Sequence, residues 1–213
     1  MNSVLNAPFI TLEGIDGAGK STHVPAIYHW IEQQGYTWVH TREPGGTPLG
    51  EQLRAMVLNT PMQAETEALL MFAGRAEHLH QVILPALARG DWVISDRFSD
   101  ASVAYQGGGR GLGVKKIEVL ENWTHPTVQP DLTLLFDLSP EVAAQRLQSG
   151  RAERDRFEQE QSSFFDRVRA AYLQRAQEAP QRFLVLDAAL PVESVWLKIE
   201  AALDGLKKRY TSQ

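Results

Sequence analysis

At 213 residues, 43% of them hydrophobic and 22% charged, the chain carries enough apolar material to bury a core, and its length predicts one domain over 1–213. A net charge of -5 argues against a broad basic face for nucleic acid, and the lack of cysteine excludes disulfides and thiolate metal sites and suits a reducing, cytoplasmic compartment. With no basic-then-apolar leader and no apolar window of spanning length, no membrane partner is expected.

Short runs rich in β-branched and other apolar residues alternate with longer stretches of helical spacing. The first, FITLE at 9–13, is a predicted strand that runs into GIDGAGKST at 14–22, and a helix is predicted over 20–34. Pro25 falls inside that helix without an amide proton, and its ring crowds the Ser21 carbonyl, so a kink or a tightened first turn is expected. Strand TWVHT (37–41) precedes helices over 48–58 and 65–89, the second stopped by Gly90 as a left-handed residue. Strand WVISD (92–96) follows at once, then helices over 98–105 and 114–123 and strand LTLLFDL (132–138). Helices over 140–149 and 157–179, strand FLVLD (183–187) and a helix over 192–207 complete the chain. Near-continuous apolar strands alternating with helices indicate an α/β fold, a parallel five-stranded sheet covered by helices on both faces. Ligands of such sheets collect beyond the carboxyl ends of the strands, where Asp16, Glu43, Asp96, Asp137 and Asp187 fall.

The spacing Gly14-x-x-x-x-Gly19-Lys20-Ser21, set between a strand and a helix, is that of a phosphate-binding loop. The loop Gly14, Ile15, Asp16, Gly17, Ala18, Gly19, Lys20, Ser21 and Thr22 is expected to cradle a nucleotide β-phosphate with its amides and the helix N-terminus. Lys20 neutralises the β and γ oxygens, and the Ser21 hydroxyl reaches Mg²⁺. The motif alone admits an ATPase, a GTPase, a kinase or a plain nucleotide binder. No Asn-Lys-x-Asp guanine reader is present, and the chain is small for a motor, so a kinase of small metabolites fits best. A second cluster, DRFSDASVAYQGGGRG at 96–111, follows the 92–96 strand. There Asp96 is placed to hold Mg²⁺ or its water and Arg97 to clamp a second phosphate, against the plainer reading of a surface ion pair. Ser102, Tyr105 and Gln106 share adjacent faces of the helix that follows. The GGGRG run reads as a flexible turn, and the six histidines lack metal-ligand spacing.

LEGIDGAGKST, TREPGGTPLGE, LLMFAGRAEH, DRFSDASVAYQGGGRG, PDLTLLFDL and RDRFEQE occur in the order and spacing of the bacterial thymidylate kinases, and the chain resembles that family over nearly its whole length. The resemblance implies the P-loop nucleoside monophosphate kinase fold. It also implies transfer of the γ-phosphoryl of ATP to dTMP with Mg²⁺, giving dTDP on the route to dTTP, in a homodimer. Asp16 would then accept a hydrogen bond from the 3′-hydroxyl of the acceptor sugar. Lys20, Arg97, Arg151 and Arg156 would be catalytic, the last two carried by a mobile lid over about 148–160 that also holds Arg154, Asp155 and Glu158. Phe72 is the expected stacking ring and Arg75 the base-bonding arginine, although many relatives carry the aromatic where Met71 stands here. Ser102 and Gln106 would meet the thymine edge, Tyr105 would pack where a ribose 2′-hydroxyl projects, and Arg54 is a candidate for the acceptor phosphate. Two rival readings are a deoxynucleoside kinase, which would need a general base for an uncharged hydroxyl, and a nucleotide-binding regulator without turnover.

Overall fold

A computed structural model describes residues 7–148, 156–157 and 160–211. Its strands are β1 (Phe9–Glu13), β2 (Trp38–Arg42), β3 (Trp92–Asp96), β4 (Leu132–Asp137) and β5 (Phe183–Asp187), all parallel and ordered β2-β3-β1-β4-β5. This is the five-stranded sheet expected of the P-loop nucleoside monophosphate kinase fold. Every residue of β1 is buried, and so are most of β3 and β4. That is why these strands read as unbroken apolar runs: helices cover both faces. The edge strands β2 and β5 are only partly covered, and β2 carries His40, Thr41 and Arg42 accordingly.

The helices are α1 (Lys20–Gln33), α2 (Pro48–Asn59), α3 (Ala64–His78), α4 (Leu84–Arg89), α5 (Ser99–Ser102), α6 (Val114–Thr124), α7 (Pro140–Gln148), α8 (Ser162–Glu178) and α9 (Val192–Thr211). Thr47 caps α2 by accepting from the Gly50 N–H, with Pro48 at the first helical position. Gly90 ends α4 in the left-handed conformation at φ 88°. α1 stays helical through Pro25, and the expected tightening shows in the Thr22 N–H, which donates to the Gly19 carbonyl at 3.2 Å.

Two expectations need amendment. The helix expected over 65–89 is interrupted by a π-helical stretch at Leu79–Ile83. Pro85 lies just beyond it, with no amide to give to the Gln81 carbonyl, so a regular α-ladder cannot continue. The GGGRG run is not a flexible turn: Val103–Gly109 extends α5 as a second π-helical stretch packed on α8. A Cβ on Gly108 would sit 2.6 Å from Ala171, and one on Gly109 would sit 2.6 Å from Phe164. These glycines are present so that two helices can approach closely.

With β1 between β3 and β4, the loops leaving β1 and β3 emerge side by side at the carboxyl edge of the sheet. Leu12 is in register with Asp96, and so is Arg42.

Candidate active site

The loop after β1 is shaped by what surrounds it. Gly14 has φ 130°, and a Cβ there would lie 2.5 Å from the Phe136 carbonyl of β4; at Gly17 it would lie 2.6 Å from the Ala143 carbonyl of α7. Neither position admits a side chain. Lys20, at the start of α1, is buried and donates to the carbonyls of Gly14 at 3.0 Å and Ile15 at 3.2 Å, with Asp16 3.8 Å away. Burial and the neighbouring Arg97 guanidinium push the Lys20 ammonium below its ordinary value, against the pull of Asp16, Asp96 and Glu13. Ile15 and Ala18 are buried, while Ser21 and Thr22 are exposed.

Arg97 follows β3 in the left-handed conformation at φ 71°, unusual for a side chain of this size. Its backbone is held from three directions. The Arg97 N–H donates to the Leu12 carbonyl at 3.0 Å, Ser95 Oγ donates to the Arg97 carbonyl at 2.7 Å, and the next amide, Phe98 N–H, donates to Glu13 Oε1 at 2.7 Å. The guanidinium thereby crosses to the phosphate loop: Nη1 donates to the Gly14 carbonyl at 2.9 Å and Tyr172 Oη at 3.2 Å, and Nη2 to Asp16 Oδ1 at 2.9 Å and Tyr105 Oη at 3.1 Å. It also lies over the Tyr105 ring, 4.8 Å from the centroid. This is a fixed bridge between two loops, not a surface ion pair. Asp96 Oδ1 is buried without a hydrogen-bond partner among the described residues, which leaves an acceptor available for an incoming cation.

Behind Arg97, Glu13 is buried in the core end of β1. Burial and the neighbouring Asp100 push its carboxyl up to about 8, against Arg97 and the donors Tyr172 and Phe98. Asp100 itself is held by Arg175 and Arg182 and lies below its usual range despite its burial.

A cleft of about 130 Å³ opens beside Arg97. Its lining includes Asp16, Asp96 and Arg97 from the two loops, Arg42, Glu43 and Arg54, and Met71, Tyr105, Gln106 and Phe157. Arg42 pairs with Glu51 at 2.8 Å and Arg54 donates to the Pro44 carbonyl at 3.0 Å. Arg75, only 1% exposed, is clamped: Nε donates to Glu43 Oε2 at 2.7 Å and Nη2 to the Phe98 carbonyl at 3.1 Å and Ser102 Oγ at 3.0 Å. Glu43 also meets His78 Nδ1 at 2.9 Å, and His78 Nε2 lies 2.6 Å from Thr41 Oγ1. Of the three Arg75 guanidinium nitrogens, Nη1 is buried without a partner among the described residues. Phe72 does not line the cleft. It is buried with Ala68, Val103 and Ile117, under the Arg75 guanidinium at 4.4 Å, whereas Met71 faces the cleft.

Of the lid residues, Arg151 lies outside the described residues, as do Arg154, Asp155 and Glu158. Arg156 is not at the phosphate loop. Its Nη2 pairs with Glu67, its N–H donates to the Leu58 carbonyl at 3.3 Å, and the guanidinium sits over Phe157 at 5.1 Å. Arg110 joins the same Glu67 at 3.1 Å and also pairs with Glu160.

Sequence reasoning placed Glu43 at the ligand-binding edge of the sheet without giving it a task, and singled out neither Glu13, Glu67, Arg110 nor Tyr172. A signal for some of them is present. Glu13 is an acid inside an otherwise apolar strand, and Glu67, Met71 and Arg75 follow one another at four-residue spacing, so two charges share the buried face of one helix.

The thymidylate kinase family model matches residues 12–199. The thymidylate kinase of Cupriavidus pinatubonensis is 55% identical over 204 residues, covering 95% of this chain and 100% of that relative. That of Paraburkholderia xenovorans is 58% identical over 196 residues, 90% and 95% of the two chains, and that of Bordetella petrii 57% over 198 residues, 93% and 95%. With a family model over most of its length and relatives at this identity that it spans almost end to end, the chain belongs to the thymidylate kinase family.

Proposed function

We propose that this chain phosphorylates dTMP to dTDP in the cleft beside Arg97, with ATP on the phosphate loop as donor. The observation that carries the site is Arg97, whose guanidinium touches both the loop that would hold the donor and the acceptor cleft. In-line transfer needs two phosphates brought together and their charge cancelled. Lys20 would release the Gly14 and Ile15 carbonyls to follow the migrating phosphoryl, and Arg97 would hold the acceptor phosphate. Asp16 would take the 3′-hydroxyl, Tyr105 would crowd a ribose, and Arg75 Nη1 with Ser102 or Gln106 would meet the base edge. Arg151 and Arg156 would arrive with a lid over about 148–160 of a single domain 1–213, closing out water.

Mg²⁺ fits the residues present. The unpartnered Asp96 Oδ1 and the exposed Ser21 hydroxyl would hold it, and such an ion commonly takes one or two carboxylates, with phosphates and water completing its shell. When bound, it supplies neutralisation of phosphate charge.

Three guanidiniums, those of Arg42, Arg54 and Arg97, line the cleft. That suits an anionic acceptor better than the uncharged hydroxyl of a deoxynucleoside, and a complement of Lys20, Asp96 and Arg97 argues against a regulator without turnover. ADP release measured with dTMP, with thymidine and with neither separates the three readings: release requires dTMP if the proposal holds, and release with thymidine refutes it.

The homodimer is also part of the proposal. Glu65 of α3 pairs across 3.3 Å with Lys116 of α6 on the outer surface. Leu69 lies one turn from Glu65, and Val119 and Trp123 one and two turns from Lys116, exposed by 54%, 66% and 79%. An apolar stripe of that kind suits burial against a second copy. Among the described residues no helix is long and apolar enough to cross a membrane; a cytoplasmic location rests on the cysteine-free composition.

A further inference from the structure

Glu67 lies fully buried on α3, one turn before Met71 and two before Arg75, and the reading above gives it no task. Its carboxylate faces Arg110 Nε at 3.1 Å, Arg156 Nη2, and the Gln106 amide nitrogen at 2.8 Å. A carboxylate set between two guanidinium groups has only acceptors to offer, whereas a glutamine amide has oxygen on one side and nitrogen on the other. Gln106 is therefore held one way round. Its Nε2 is on Glu67, and Oε1 is left buried without a partner among the described residues, on a side chain that lines the cleft. The Arg75 fork is close by, because its Nη2 donates to Ser102, one turn ahead of Gln106. Around this cluster a donor, Arg75 Nη1, and an acceptor, Gln106 Oε1, are buried without partners among the described residues, as are Arg110 Nη2 and Arg156 Nε on the Glu67 side; of the four residues only Gln106 lines the cleft.

We infer that Glu67 is a specificity-positioning residue, which fixes the Gln106 amide so that the site presents a donor and an acceptor to the 4-oxo, N3–H edge of thymine or uracil and turns cytosine away. This rests on reading the Arg75 side of the cleft as the base pocket. Thymine offers a carbonyl oxygen and a ring N–H at that edge; cytosine offers an amino group and a bare ring nitrogen, so donor meets donor and acceptor meets acceptor. Buried mismatches of this kind support discrimination of up to about 10⁴-fold. Were Gln106 free to turn over, its NH₂ would satisfy the cytosine ring nitrogen and half of the rejection would vanish. Glu67 does not touch the base. It acts through the glutamine.

The test compares specificity constants for dTMP, dUMP and dCMP in the parent, Glu67→Gln, Glu67→Asp and Gln106→Met, with thermal unfolding of each as a check on folding. A glutamine at 67 donates as readily as it accepts, so the dTMP-to-dCMP ratio should fall by about tenfold or more while dTMP and dUMP keep their relation. Glu67→Asp remains acceptor-only and should keep the ratio even where turnover drops. A merely structural role would lower all three nucleotides in proportion. If Gln106→Met collapses the ratio and Glu67→Gln leaves it intact, the inference fails and the base pocket stands; an intact ratio in Gln106→Met removes both. Should Glu67→Gln not fold, the parent decides the matter by NMR. The Gln106 side-chain amide protons should exchange slowly with and without dTMP, and rapid exchange in the free protein, or a nuclear Overhauser contact from those protons to the thymine N3–H that shows the NH₂ itself facing the base, overturns the inference.

Discussion

Tyr172 donates its hydroxyl proton to Glu13 Oε2 at 2.7 Å, and Tyr172 Oη accepts from Arg97 Nη1 at 3.2 Å. One phenol on α8 thus ties the buried acid at the end of β1 to the arginine that bridges phosphate loop and cleft. Glu13 grips the backbone just after Arg97 through Phe98, and Tyr172 grips the guanidinium. Holding the backbone at φ 71° requires such restraint.

Tyr172→Phe should separate that restraint from the chemistry. It leaves one buried oxygen of Glu13 without its donor, a loss of about 1–3 kcal/mol in stability. Arg97 keeps Gly14, Asp16 and Tyr105, so kcat/KM for dTMP should fall by only about tenfold, mostly in kcat. Denaturant melts and steady-state kinetics check both; an unaltered melt would remove Tyr172 from the restraint.

The proposed base pocket makes a prediction about two neighbours. Met71 lines the cleft but is only 7% exposed and packs into the main core, so Met71→Ala should raise KM for dTMP and dUMP alike and also lower the melting temperature. Phe72 is 2% exposed and packed under Arg75, so Phe72→Ala should cost about 3–5 kcal/mol of stability, as core aromatic truncations do. A Phe72→Ala protein of parental stability and raised KM would restore Phe72 as the stacking ring.

These two residues show where sequence reasoning runs out. All five strands were legible within about a residue, because an unbroken apolar run flanked by helical spacing has few other uses. The tight glycine loop after β1 and the position of Arg97 beside it were legible as well, from the glycine spacing and from the ends of adjacent strands. Which of Met71 and Phe72 faces the ligand depends on the rotation of α3, and that is set by Glu67 and Arg75 packing inward against residues distant in sequence. The π-helical stretches escaped for a similar reason: Gly108 and Gly109 matter only through Ala171 and Phe164 on α8. Glycines alone cannot tell a flexible turn from a close contact.

A pH dependence follows from His125. Burial, and next the Arg75 guanidinium, push its imidazole down to about 4, below an ordinary value of 6.5. The folded state therefore keeps it neutral while the unfolded chain binds a proton as pH falls below about 6.5, so its contribution to stability is present above that pH and is lost progressively down to about 4, at most about 3 kcal/mol. His125→Asn, which can still donate to the Val128 carbonyl, should flatten the melting temperature over this window relative to the parent. Parallel pH profiles for the two proteins would contradict the assignment.

The stripe on α3 and α6 predicts the assembly. Trp123→Glu places a charge at its most exposed apolar residue and should give a monomer by sedimentation at concentrations where the parent is dimeric. A variant that dimerises like the parent would move the interface elsewhere.

If Arg97 joins donor and acceptor sites as proposed, the decisive measurement is kcat/KM for dTMP in Arg97→Ala together with the KM for ATP in the same protein. Arginines that neutralise charge in phosphoryl transfer are worth on the order of 10³-fold or more. A loss of that size in kcat/KM for dTMP is expected, with the KM for ATP within about threefold of the parent because the loop amides and Lys20 would still hold the donor. A dTMP specificity constant within about threefold of the parent would contradict it.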